Sequence, residues 1–259
     1  MSIAQHIDVV TQEWLRLISI ANKYEPQMRV AYTRAIRGGK TVDEQQLRDV
    51  ITRILVDTCV SSAKIYGLNF DINNTSYVDT INFLVQQYVG FVSNQVTRDA
   101  VKRIMPQGLS IREQHQRIDE TFGLDSRSAI RIEQMRQAGA PAAQIQRARS
   151  DAMWIRGNLL AATETNRAIN VSLETLWLAN MDISKADNVI YLDSSIEDVI
   201  PKTAKKEWIT RRDGKVCIRC DPLDGLTARL GNKFDTDYGY LDTPPLHPRC
   251  RCFLIVRAH

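Results

Sequence analysis

The chain has 259 residues, of which 44% are hydrophobic and 25% charged, and a net charge of +4. That is enough chain for a sizeable core without staples, an ordinary composition for a soluble globular protein, and too little net charge to establish a nucleic-acid partner by itself. No apolar run approaches the roughly 18 residues of a membrane span, and "MSIAQHIDVVTQEW" lacks the basic and apolar regions of a secretory signal, so the sequence is expected to fold in a reducing cytosol with no membrane partner.

The first 180 residues read as helix after helix. Residues 3–36 place Ile7, Val10, Trp14, Leu17, Ile18 and Ala21 on one face, and Gly38-Gly39 ends the segment. Thr41 to Glu44 has the spacing of a capping box, and Leu47, Val50, Ile51, Ile54 and Leu55 then form an apolar stripe that Gly67 closes. Cys59 lies on that stripe as a small buried residue. A third helix is predicted from Thr75 to about Ile104, before Met105-Pro106. Ser110 to Glu113 is a second capping box, and Asp125 is the N-cap of a helix that ends at Gly139.

The next helix is the most regular. Pro141 suits a first helical position, and Ile145, Ala148, Ala152, Ile155, Leu159, Ala162, Asn166, Ile169, Leu173 and Leu176 follow at spacings of three and four. This near-heptad seam is thin, with three alanines and an asparagine, which favours packing inside one chain over a self-associating coiled coil. Gly157 is expected to loosen it. Trp154, Trp177 and Trp208 read as core or interface anchors.

After Asn180 the pattern changes to a small α+β unit. "NVIYL" (188–192) and "CFLIV" (252–256) read as strands, and "EWITRRDGKVCI" (207–218) reads as a hairpin about Asp213-Gly214. The fold class is therefore mainly α, a helical body followed from about residue 181 by a small C-terminal unit. Charge is uneven there. Residues 182–200 are acidic, whereas Lys202, Lys205, Lys206, Arg211, Arg212 and Lys215 form a basic run, which reads as a solvated face or as a contact for an anionic partner: DNA, RNA or an acidic protein surface. Asp235, Asp237 and Asp242 are a loose carboxylate group in a loop that reads as an exposed connection.

Four cysteines and a histidine of this unit are spaced as metal ligands: Cys217-x-x-Cys220, then His247-x-x-Cys250-x-Cys252. Two residues between cysteines let both thiolates face one ion, and a second pair from a distant turn completes a tetrahedron. The expected cofactor is a structural zinc held by Cys217, Cys220, His247 and Cys250, with Cys252 as the alternative ligand. Cys252 also begins a strand, and alternation can turn it into the core. A zinc ion would let a small unit hold one shape without a large core of its own.

Three stretches carry a resemblance: "LAATETNRAIN" (160–170), "EWITRRDGKVCIRCDPLDG" (207–225) and "FDTDYGYLDTPPLHPRCRCFLIV" (234–256). In this order the chain resembles phage Mu F-like minor head proteins, the head-morphogenesis family, over about residues 125–256. Ala162 stands where that family usually has arginine. The resemblance implies a minor capsid protein built into the phage head during assembly in the host cytoplasm. Its partners would be the portal protein, the major capsid or scaffold proteins, and packaged double-stranded DNA. It implies structural roles for Thr163, Glu164, Asp224 and Gly225 and no catalytic residue. Glu164 and Asn166 are expected to bond to the adjoining unit. Residues 1–120 carry no resemblance and are expected to be an attachment region, with 121–180 as long helices and 181–259 as the α+β unit. The rival readings are a sequence-independent nucleic-acid-binding module and a nuclease or effector enzyme delivered with the phage genome.

Overall fold

The computed structural model describes residues 3–37, 44–181, 189–190, 200–201, 204–211 and 214–257. It is mainly helical, with a small sheet region at the C-terminal end. The helices are α1 (Ile3–Arg37), α2 (Glu44–Tyr66), α3 (Thr75–Ser93), α4 (Gln95–Ile104), α5 (Ile111–Asp119), α6 (Ser126–Gln137) and α7 (Ala142–Ala179). None is long and apolar enough to cross a membrane.

Local chemistry explains most of the boundaries. Gly67, with φ of 67°, ends α2 in a left-handed conformation that suits glycine. The Ser110 box forms as expected: Ser110 and Glu113 each bond the other's backbone N–H. Asp125 caps α6 by accepting from Ser128 N at 3.0 Å. Pro141 sits one residue earlier than expected, at the N-cap of α7. The Thr41 box and the acidic residues 182–188 and 191–199 lie outside the described residues. The single helix expected over 75–104 is two. Asn94, with φ of 28°, ends α3, and its side chain accepts from Thr97 N to start α4. An asparagine can take both roles because its short amide replaces a backbone partner at a break.

Helix α7 is about 57 Å long at roughly 1.5 Å per residue, and it packs on α1, α2, α3 and α6. These contacts lie within one chain, but not along one seam. Asn166, Ile169, Leu173 and Leu176 are buried, whereas Ile155 is exposed. Near the middle, Gly157 fits against Tyr32 of α1, where an added Cβ would lie 2.8 Å from the ring. That glycine therefore permits close approach of two helices and does not loosen the seam. Trp154 is also exposed, while Trp177 and Trp208 are buried as expected.

The strands are β1 (Val189–Ile190), β2 (Ile200–Pro201), β3 (Lys205–Ile209), β4 (Thr227–Arg229), β5 (Phe234–Thr236), β6 (Gly239–Leu241) and β7 (Phe253–Arg257). Strand β3 is central in an antiparallel sheet of order β4-β3-β7, with Lys205 opposite Arg257 and Ile209 opposite Phe253. Of the hairpin expected over 207–218, Arg212 and Asp213 lie outside the described residues, and the described residues 214–218 form no strand. Strand β3 stops at Ile209, and its partners come from 227–229 and 253–257. The apolar strand β7 supplies a better-buried partner than the glycine- and lysine-bearing segment after 213. One core joins Leu17, Ile54, Leu84 and Leu173 of the helices to Trp208, Phe234, Phe253 and Leu254 of the sheet region. The C-terminal unit thus shares the helical body's core. A smaller core of Val101, Leu124, Ala129 and Ile132 lies between α4 and α6.

Candidate metal centre

Two matching turns bring the ligands together. After β3, the N–H groups of Cys220 and Asp221 both bond Cys217 O, at 2.9 and 3.0 Å, and a short 3-10 helix (Asp221–Leu223) follows. This tight turn sets two thiols on one side. Thirty residues on, Cys250 N bonds His247 O at 3.0 Å and closes an equivalent turn. His247 Nε2 lies 3.0 Å from Cys217 Sγ and 3.1 Å from Cys220 Sγ, and Cys220 Sγ lies 3.7 Å from Cys250 Sγ. Cys217, Cys220 and His247 form one group able to hold a metal ion, and Cys220, Cys250 and Cys252 form another that shares Cys220. All four cysteines are free thiols.

The electrostatics fit ligation. His247 Nδ1 lies 2.7 Å from Pro248 O. A proton on Nδ1 satisfies that carbonyl and leaves Nε2 as the lone-pair donor facing the thiols, the usual outer-sphere arrangement of a metal-binding histidine. Burial opposes ionisation of Cys217, but hydrogen bonds from the Cys220 N–H and thiol and the Arg219 N–H outweigh it and lower the thiol. Hydrogen bonds from Cys220, then Cys252, hold the Cys250 thiol far down, while sharing with Cys250 pushes Cys220 up. Without a cation, three crowded thiols cannot all ionise; an ion would let each do so.

Helix α7 clamps the second turn. Thr163 Oγ1 accepts from Arg249 N at 2.9 Å. Asn166 Nδ2 donates to Cys250 O at 3.1 Å and Cys252 O at 2.7 Å. One helical turn on, Asn170 Nδ2 donates to Cys252 O at 3.2 Å, and Asn170 Oδ1 accepts from Leu254 N at 2.7 Å. Residues 163, 166 and 170 share a face at helical spacing, so one edge of α7 fixes the backbone of the ligand loop. Glu164 turns instead to Arg167, at 2.9 Å, and burial raises its carboxyl against that cation. Among the described residues its hydrogen-bond partner is Arg167, on its own helix, and not the adjoining unit as expected. Asn170 carried no signal in the sequence, because nothing local separates it from any helical asparagine. Replacing Asn170 by alanine leaves Leu254 N–H buried without this acceptor, and a loss of about 1–3 kcal/mol in urea unfolding is expected. An unchanged midpoint would show that the amide does not carry this contact.

The other expected site residues separate. Asp224 Oδ1 accepts from Thr210 N and Oγ1, at 2.8 and 3.0 Å. Gly225, with φ of 81°, donates to Trp208 O at 2.8 Å, so both residues fasten the turn before β4 to the end of β3. The basic run is not one face. Lys205 and Lys215 are exposed and Arg211 is half-buried, but Lys206 is 1% exposed. Its Nζ bonds Glu174 Oε1 and Asp242 O, both at 2.6 Å, and lies 5.1 Å from the centre of the Phe234 ring. Lys206 is thus a core cation and not a phosphate contact. Lys202 and Arg212 lie outside the described residues. Asp235, Asp237 and Asp242 are exposed, and among the described residues none joins a metal-ligating group.

Comparison with protein-family models, curated proteins and solved structures finds no match.

Proposed function

We propose that the chain is a minor head protein of a phage, with its helical body docked in the head near the portal and its C-terminal unit braced by structural zinc. The observation that carries this reading is the meeting of two stretches that resemble the head-morphogenesis family. Thr163, Asn166 and Asn170 of the first bond residues 249–254 of the last, positions 82 to 86 residues apart. A resemblance made of unrelated local patterns would give no reason for those stretches to touch.

Zinc suits the donors. Thiolates and an imidazole in a tetrahedron favour it over magnesium or calcium. Ligand distances of about 2.3 Å to sulfur put tetrahedral S–S edges near 3.8 Å, and the Cys220–Cys250 separation is 3.7 Å. The two Sγ–Nε2 edges, 3.0 and 3.1 Å, have to open by about half an ångström. Four protein ligands leave no position for a reacting water, so the ion would brace the loop and not catalyse. Of the basic run, Lys205 is exposed and would contact the phosphates of packaged duplex DNA.

The test is crosslinking and mass spectrometry of heads assembled in cells that carry the gene. A few copies per head are expected, with crosslinks from residues 1–120 to the portal protein. A chain that stays free in the cytosol while heads assemble would overturn the proposal.

A further inference from the structure

Between α1, α7 and the loop that carries His247 and Cys250 lies an open cleft of about 480 Å3, within the size range of ligand sites. Its lining takes Arg29 from α1, Arg211 from the segment after β3, and Arg249 and Arg251 from either side of Cys250. Among the described residues of the lining, Glu25 alone carries a carboxylate. Arg29 Nη1 donates to Asn158 Oδ1 at 3.1 Å, and Arg211 Nη2 to Asn22 Oδ1 at 3.5 Å. Both acceptors are neutral, so they orient the cations without cancelling their charge. Among the described residues, Arg29, Arg211 and Arg249 make no ion pair.

Two further features point to a ligand. Trp154 belongs to the same lining and is 66% exposed, a large indole left open to solvent. Arg249 has φ of 61°, a conformation unfavourable for any residue with a side chain, and its N–H is pinned to Thr163 Oγ1 at 2.9 Å. Such conformations persist where surrounding structure enforces them, and they concentrate at binding sites.

We infer that this cleft binds single-stranded nucleic acid. Guanidinium groups take phosphate oxygens through charge-assisted bonds, and an exposed indole gives a base a face to stack on. The cleft is too small for the body of a duplex. An acidic peptide would engage the arginines but give Trp154 nothing to stack with. Because Arg249 and Arg251 flank Cys250, the same turns that gather the metal ligands place half of the cleft's positive charge. The site goes beyond the packaging role, in which the nucleic acid is duplex.

The full-length, metal-loaded protein is titrated at low salt with oligothymidylate, a blunt DNA duplex, thymidine monophosphate and polyglutamate, with tryptophan emission as the readout. Oligothymidylate is expected to bind most tightly and to quench emission, and the quenching is expected to be lost in Trp154→Phe. Added salt is expected to weaken binding. Arg29→Ala and Arg249→Gly, the second chosen to suit the backbone, are each expected to weaken it about tenfold or more. Arg29 is an exposed residue of α1, so its replacement leaves the fold intact. No quenching, equal affinity for duplex, mononucleotide or polyglutamate, or wild-type binding by both arginine variants would overturn the inference.

Discussion

Replacing Cys220 by serine is expected to empty the metal site and to cost more stability than any other single change in the C-terminal unit. Cys220 belongs to both groups of metal-ligating side chains, so its loss breaks the site whichever thiol completes the tetrahedron. Structural zinc contributes on the order of 10 kcal/mol to small metal-folded domains. Here the loss is smaller than in an isolated finger, because Trp208, Phe253 and Leu254 pack in the same core as α7. Elemental analysis should give about one zinc per chain in the wild type and none in Cys220→Ser. Hydrogen exchange should rise first over residues 214–252, while the buried faces of α2 and α7 stay protected. Cys252→Ser is the control: it leaves Cys217, Cys220, His247 and Cys250 in place, and it is expected to retain the metal. A metal-free wild type with an ordered loop would refute the centre. Loss of metal in Cys252→Ser alone would make Cys252 the fourth ligand.

The second large effect is expected at Lys206. Its ammonium sits at the sheet–helix junction against Glu174, the Asp242 carbonyl and the Phe234 ring. Lys206→Ala leaves Glu174 largely buried and without its cation, and removing one member of a buried pair costs about 3–5 kcal/mol. The pair itself is not a net source of stability. A Lys206→Met, Glu174→Leu double variant is therefore expected to recover most of the loss, since apolar side chains of similar volume often replace buried pairs without penalty. The pH dependence has a definite sign. Burial raises the Glu174 carboxyl, and Lys206 partly offsets that. A carboxyl raised in the folded state favours folding when protonated and loses that advantage as pH climbs through its folded value. Removing Lys206 raises it further, so the variant should lie nearer the wild type in mild acid than at neutral pH. Urea unfolding at the two pH values measures this. A loss under about 1 kcal/mol at neutral pH would show that the pair does not hold the junction.

What could be read in the sequence was what short spacing encodes. The Ser110 box, the Asp125 cap and the paired Cys-x-x-Cys and His-x-x-Cys turns each depend on residues within four positions, and each is present. What could not be read depends on partners far along the chain. Lys206 looks like part of a surface charge run, and its burial is set by β7 and by Glu174 on α7. The pairing of β3 with 253–257 overrode a local hairpin signal because the alternative strand is apolar and buried. Asn94 and Asn170 show the same contrast at one residue type. The first interrupts a helix by capping the next, which an asparagine followed by a threonine three positions on can signal. The second acts on a strand 84 residues away, and its neighbours in sequence say nothing of that.

The clamp between α7 and the ligand loop also sets an order of events in synthesis. Asn166 and Asn170 emerge from the ribosome more than 80 residues before the carbonyl and amide groups that they bind. Until residues 250–254 are made, those asparagines face solvent or the tunnel wall, and α7 lacks part of the partner that covers it. Contacts so distant along a chain form late and slowly. The last strand is thus a latch that closes on a helix already built. A chain stalled before residue 250 has its long helix but not its lock, and quality-control proteases would meet it in that state.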